Sequence, residues 1–371
     1  MAASSLDSTT TIADRSSGLV LGGLIADAGG QPIHWIYDVA KLHASLSDAG
    51  RLEQPEFLPH SINPFYRIAT GRNTVYGDQI FVLLRSLASQ RGQYDSEHYA
   101  KETFAFFGNE GDGGYGPFPA EPVPRDQLPQ HKPWRTATLR HFLTTITDAQ
   151  AAGQAAPWTQ AGLVDEQADS FAKVGPLVAA FVSRHHHHSS AADVDLAPLL
   201  AQVEAAASIT QTGPIATASA LAAARILFQV ALGSTVRAAV VSVASQLASD
   251  TSREVNAALA AGLTDAVARA HTIEHAAFAK ELGLSCSVPA SFFVAVHAVL
   301  SATDETETPS TEWYLRAVRQ TFLAGGDSAS RSCLIGSLIG AAIGAARLPQ
   351  EWLAQALAVP QARTYLASIL V

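Results

Sequence analysis

The sequence predicts a single all-α domain, and three observations carry that reading. Alanine-rich segments with a helical repeat recur from Gly18 onward, alternating β-type runs are almost absent, and the 371 residues are 48% hydrophobic and 15% charged, which is enough for one large core. Length alone allows two or three domains at roughly 150 residues each. The segments that combine acids, hydroxyls and glycines nevertheless lie at both ends of the chain and read as parts of one site. The expected division is therefore a flexible tail over 1–16, rich in Ser and Thr, and one domain over 17–371.

The formal net charge of −9, from 24 Lys plus Arg against 33 Asp plus Glu, offers no basic footprint for a phosphate backbone, so nucleic acid and anionic membrane surfaces are not expected partners. The tail carries Asp7 and Asp14 and lacks the apolar centre of a signal peptide. The longest apolar run, 333–346, is shorter than the ~18 residues of a membrane span. Two cysteines, Cys286 and Cys333, are too few for a disulfide framework. A cytoplasmic protein is expected.

In chain order, the first helix carries Gly18, Gly22 and Ala26, and the last long one carries Gly336, Gly340 and Gly344. Each is a stripe of small residues at every fourth position. Such a stripe lets backbones approach closely, and each interior glycine costs about 1 kcal/mol of helix propensity against alanine, so the two helices are predicted to pack against each other. Long helices are expected over 215–247 and 253–282. The second opens on TSRE, where Thr251 and Glu254 make a capping box, and it stops at Gly283. Between Gly108 and Pro133 glycine and proline preclude a regular element, and a loop of that length reads either as a lid or binding loop or as a solvated excursion. The His185–His188 run reads as a surface loop, because four adjacent imidazoles cannot converge on one metal.

Three segments carry the chemistry. LGGLIADAGGQPIHWIYD places Asp27 at the end of the small-residue helix, with His34 beyond it. YGDQIFVLLRSL sets Asp78 at a helix start, where it can cap free amides. AGGDSASRSCLIG sets Asp327 and Ser330 at another. Oxygens gathered at helix N-termini suit a hard cation or a sugar. Cys286 and Cys333 read as buried, inert thiols, and His34 either as an acid–base group with a suitable reference pKa or as a structural partner of Asp78 or Asp327.

These three motifs, in order over residues 18–346, resemble the signature segments of the ADP-ribosylglycohydrolase superfamily. ADSFAKVGPL and TQTGP resemble its middle motifs. ADAGGQPIHWIYD, NPFY, YGDQ and GGDSASR resemble its J-type crystallin subgroup and the related selenoprotein J. The resemblance implies an all-helical fold, an ADP-ribose-like small-molecule ligand and catalysis assisted by two magnesium ions. Carried over, the metal ligands fall on Tyr76, Gly77, Asp78, Asp327, Ala329 and Ser330, and the carboxylate closing the first motif falls on His34. Three of the six ligand positions no longer suit Mg²⁺, so at most one ion is expected, on Asp78, Asp327 and Ser330. His34, Asp78 and Asp327 are the expected catalytic residues, with Asp27, Gln31, Tyr76, Gln79 and Arg331 on the substrate, all around one pocket. The resemblance leaves three functions: a glycosidic hydrolase with a degraded magnesium site, a non-catalytic crystallin-like protein, and a metal-independent enzyme built on His34.

Overall fold

The computed structural model describes residues 10–108, 111–117, 123–185 and 194–370. Among them are seventeen α-helices joined by short connections, with four isolated β-bridges in place of any sheet. Apolar side chains from nearly every helix meet in one continuous core. The tail read over 1–16 is partly helical: the first helix starts at Ile12, and the Thr11 hydroxyl caps it by accepting from the Asp14 amide at 3.1 Å. His186, His187 and His188 lie outside the described residues, and His185 ends a helix with its ring stacked on Phe181.

The centre of the fold is the pair predicted from the small-residue stripes, Ile12–Gly30 against Ser328–Ile343. Gly18 faces Gly340 and Gly22 faces Gly336, so the helices run antiparallel, and a Cβ on any of the four would fall onto the carbonyl oxygen of its partner. The buried Arg15 then donates to the carbonyls of Ala341 and Ala342 at 3.2 and 2.7 Å, satisfying the C-terminal end of the glycine-rich helix and complementing its dipole. Gly344 lies just past that helix at φ +83°, a left-handed cap that glycine accommodates. At the opposite end, the antiparallel register brings Asp27 beside the first turns of the glycine-rich helix, where the Cys333 thiol lies 3.8 Å from Asp27 Oδ1.

Several predicted boundaries move. The segment 215–247 is two helices, Pro214–Ala231 and Val236–Ser249. Gly233 adopts φ +99° between them, and Thr235 starts the second by accepting from the Ala238 amide at 3.2 Å. The segment 253–282 likewise divides into Asn256–Arg269 and His275–Leu282, the first closed by the Thr272 hydroxyl donating to the Arg269 carbonyl at 3.3 Å. The expected capping box does not form. The Asp250 carboxylate, a stronger acceptor one residue earlier, takes the Ser252 amide at 2.9 Å in a local turn and leaves Thr251 and Glu254 before the helix start. Gly283 does end its helix, at φ +106°. Pro214–Ala231 has the length and composition of a membrane span, and 72% of that window is buried inside the protein.

If the reciprocal glycine contact holds the two helices at this separation, Gly340→Ala should destabilise the protein by about 3 kcal/mol, the upper part of the usual overpacking range, as read by urea denaturation. An unchanged midpoint would show that the pair has room to spare.

Candidate functional site

Asp327 is the N-cap of the glycine-rich helix and accepts from the Ser330 amide through Oδ1 at 3.2 Å. Gly325 and Gly326 precede it at φ +75° and +67°, a conformation that frees the chain to cross over. Gly326 then pairs antiparallel with Ile36, donating to its carbonyl at 2.8 Å, while the Trp35 amide donates to the Gly326 carbonyl at 2.9 Å. That small bridge carries His34 and Trp35 onto Asp327. Trp35 itself sits at φ +63°, a strained position for a bulky residue, which these contacts hold in place.

Around the Asp327 carboxylate the donors are complete. Oδ1 accepts from His34 Nε2 at 3.0 Å in addition to the Ser330 amide, and Oδ2 accepts from the Trp35 indole at 2.8 Å and the Tyr76 hydroxyl at 3.0 Å. The other His34 nitrogen, Nδ1, meets the Tyr66 hydroxyl at 2.9 Å. His34, Tyr76, Asp327 and Ser330 are all 0% exposed. Burial alone would raise the Asp327 carboxyl, but His34, Trp35 and Ser330 outweigh it and hold the group well below the usual carboxylate range.

The neighbouring acids belong to two further networks. Asp27, also 0% exposed, accepts from the Thr74 amide and hydroxyl at 2.7 and 2.6 Å and from Asn73 Nδ2 at 2.9 Å. It thereby ties the first helix to the start of Val75–Ser89, with its carboxyl raised by burial. The same contacts explain Gly77, since a Cβ there would fall on Asp27 Oδ2 and Asn73 Nδ2. An aspartate at 77, the residue type the resemblance places there, has no room. Thr74 is the N-cap of Val75–Ser89 and Asp78 sits one turn inside, so Asp78 is not the cap that the sequence suggested. Instead Asp78 Oδ2 accepts from the Tyr115 hydroxyl at 2.8 Å, and burial pushes its carboxyl up to about 8, with Asp27 adding to the rise. Tyr115 anchors the long glycine-rich loop to this acid.

Gln79 turns the other way. It donates to Asp169 at 2.7 Å and accepts from Lys173 at 3.2 Å, and Lys173 also donates to Thr210 at 2.9 Å, so the residues of the two middle motifs join in one buried network. Burial pushes Lys173 down to about 8. Arg331 is 0% exposed and donates to the carbonyls of Leu284 and Gly325 at 3.2 and 2.5 Å, bracing the turn behind Asp327. Gln31, equally buried, has no hydrogen-bond partner for either amide atom among the described residues.

The structure thus groups His34, Tyr76, Asp327 and Ser330 directly, and sets Asp27, Asp78 and Gln79 in adjoining networks. His34, Asp27, Asp327 and Ser330 are fully buried, and Trp35, half-buried, covers the Asp327 carboxylate from one side. Sequence reasoning missed Trp35, Tyr66 and Tyr115 as partners. The signal was present in the HWIYD, NPFY and GGYG segments, where aromatics stand next to the acids and glycines of the motifs. Cys333 is buried as expected, whereas Cys286 is half-buried and donates to Gln167 at 3.2 Å; burial raises both thiols above their ordinary range.

Asp78 gives a pH signature. Its folded pKa of about 8 lies above the ordinary ~3.9 of the unfolded chain. Its stabilising share is therefore full below about pH 4 and lost as the pH rises through 8. Asp78→Asn keeps the acceptor for Tyr115 without the ionisation, so it should gain about 3 kcal/mol relative to the parent between pH 5 and pH 8. Equal stability differences at the two pH values would mean that Asp78 is charged in the folded protein.

Comparison with known proteins agrees with this architecture. The family model described as ADP-ribosylglycohydrolase matches residues 8–370. Crystallin J1A of Tripedalia cystophora is 25% identical over 342 residues, 92% of each chain, and Crystallin J1B of the same organism is 25% identical over 364 residues, 98% of each. A solved structure titled ADP-ribosylglycohydrolase-related protein complex superposes with a TM-score of 0.58 at 16% identity, covering 97% of this chain and 98% of that one, which establishes the shared fold. With a match over nearly its whole length, the chain belongs to the ADP-ribosylglycohydrolase family.

Proposed function

We propose that this protein is a non-catalytic member of its family, a stable helical scaffold of the kind its crystallin-named relatives suggest, in which the ancestral acidic centre has become a hydrogen-bonded hub. The observation that carries this reading is the complete set of N–H and O–H donors on Asp327, from His34, Trp35, Tyr76 and the Ser330 amide. Hydrogen-bearing groups occupy the positions around the carboxylate where a cation would have to sit. Mg²⁺ needs oxygen lone pairs in near-octahedral array and gives up its water reluctantly. The Ser330 hydroxyl is turned to the Asp327 carbonyl at 3.2 Å, and Gly77 and Ala329 bring no oxygen. The donor set therefore does not suit a magnesium ion.

The same geometry argues against metal-free chemistry on His34. Both ring nitrogens are engaged, and the ring has no exposed surface from which to reach a substrate. Asp27 and Arg331, whose counterparts in the resemblance face a ligand, are here struts to backbone and to neighbouring side chains. The resemblance to glycosidic hydrolases then describes descent and fold.

Two measurements test this reading. Purified protein with ADP-ribosylated arginine and excess Mg²⁺ should release no ADP-ribose beyond the uncatalysed rate, whereas turnover of about 1 s⁻¹, abolished by chelation, would make it a hydrolase. Asp327→Asn should destabilise the fold by about 3 kcal/mol, as loss of a buried charged partner does. A catalytic carboxylate tolerates that change in stability and loses activity instead.

A further inference from the structure

A small cavity lies on the far side of Tyr115 and Trp134 from the acids. Tyr115 reaches Asp78 with its hydroxyl, Trp134 packs edge-on against Trp35 at 5.5 Å between ring centres, and both line the cavity, together with Gln130, Lys132, Arg135 and Arg140. Its volume is about 40 Å³. Since about 10–15 Å³ on this measure holds one water, the inner part of the cavity takes a group of a few heavy atoms.

Among the described residues the charged side chains of the wall are all cationic. Three cationic side chains line the cavity, and no acid does among the described residues, in a chain whose net charge is −9. Arg135 is fixed by donating to the carbonyls of Phe107, Gly108 and Gly116 at 2.7, 3.2 and 2.5 Å, with its guanidinium over the Tyr115 ring at 5.2 Å. The side chains of Lys132 and Arg140 make no hydrogen bond or ion pair with any described residue, and the Trp134 indole N–H likewise donates to none. Gln130 fixes the loop by donating to the carbonyls of Lys132 and Pro133 at 3.1 and 3.0 Å. A concave site lined by cations of one sign, with low-dielectric walls, concentrates anions, and arginine donors match the oxygens of a tetrahedral oxyanion.

We propose that this cavity is an oxyanion site that takes a single phosphate group, free or as the end of a phosphomonoester, with Lys132 and Arg140 as its principal donors and Arg135 as a fixed positive wall. A carboxylate carries one charge and two oxygens, and meets the three cationic groups less completely than a phosphate does. The proposal stands whether or not the Asp327 cluster is catalytic.

Calorimetric titration of the full chain at low ionic strength with inorganic phosphate, with glycerol phosphate and with acetate tests it. Phosphate is expected to bind with a dissociation constant on the order of 1 mM, and acetate far more weakly. Binding equal to or tighter than phosphate by glycerol phosphate identifies an esterified ligand, and binding by phosphate alone a free ion; either supports the site. Arg140→Ala and Lys132→Ala, both at the protein surface, should each weaken binding about tenfold, as loss of one charge-assisted hydrogen bond does, while the remote Lys280→Ala leaves it unchanged. Phosphorus NMR line broadening repeats the comparison independently of heat. No phosphate binding, equal binding of acetate, or unaltered binding in both Arg140→Ala and Lys132→Ala would overturn the proposal.

Discussion

The contact on which the rest of the structure depends is the reciprocal glycine packing of the two helices from opposite ends of the chain. Because Gly18, Gly22, Gly336 and Gly340 leave no room for a Cβ, the backbones meet directly. The antiparallel register then follows, and with it the placement of Asp27 and Asp327 near the same end of the pair. Interior glycines weaken each helix by about 1 kcal/mol apiece. Close packing, the Arg15 bonds to the carbonyls of Ala341 and Ala342, and the Tyr314 hydroxyl on the Gly22 carbonyl offset that loss.

From this frame the acidic centre follows by short steps. The Gly325–Gly326 turn lets Asp327 cap its helix and lets the chain at Ile36 pair beside it, so His34 and Trp35 arrive as donors from one side and Tyr76 from the other. A buried carboxylate needs such compensation. Here side chains and a backbone amide supply it and hold the carboxyl below the usual range. Asp78, with the Tyr115 hydroxyl as its side-chain donor among the described residues, responds to burial in the opposite direction, its carboxyl raised to about 8. The two acids of matching motifs thus shift in opposite directions, burial prevailing at Asp78 and the His34, Trp35 and Ser330 donors at Asp327.

The helical class, the pairing of the two glycine-striped helices and the joining of distant motifs were legible in the sequence because each rests on spacing: glycine at every fourth position, and acid beside glycine at a helix start. The caps were less legible. Asp250 outcompeted the Thr251–Glu254 box, and Thr74 displaced Asp78, because local hydrogen bonds of similar strength decide helix starts and a single sequence does not rank them. The breaks at Gly233 and near Thr272 were hidden by alanine-rich periodicity on both sides. The aromatic donors on the acids were not legible at all. They depend on where Trp35, Tyr66 and Tyr115 point, and that orientation is set by tertiary contacts among segments far apart in the chain.

The donors on Asp327 stand where a cation would have to be. Crystals of the full chain exposed to excess Mn²⁺, a magnesium substitute with anomalous scattering, test it most directly. The expected map shows no anomalous peak beside Asp327 or Asp78, with His34 Nε2, the Trp35 indole and the Tyr76 hydroxyl still on the Asp327 carboxylate. A peak coordinated by Asp78, Asp327 and Ser330, with the Tyr76 side chain displaced, would contradict it.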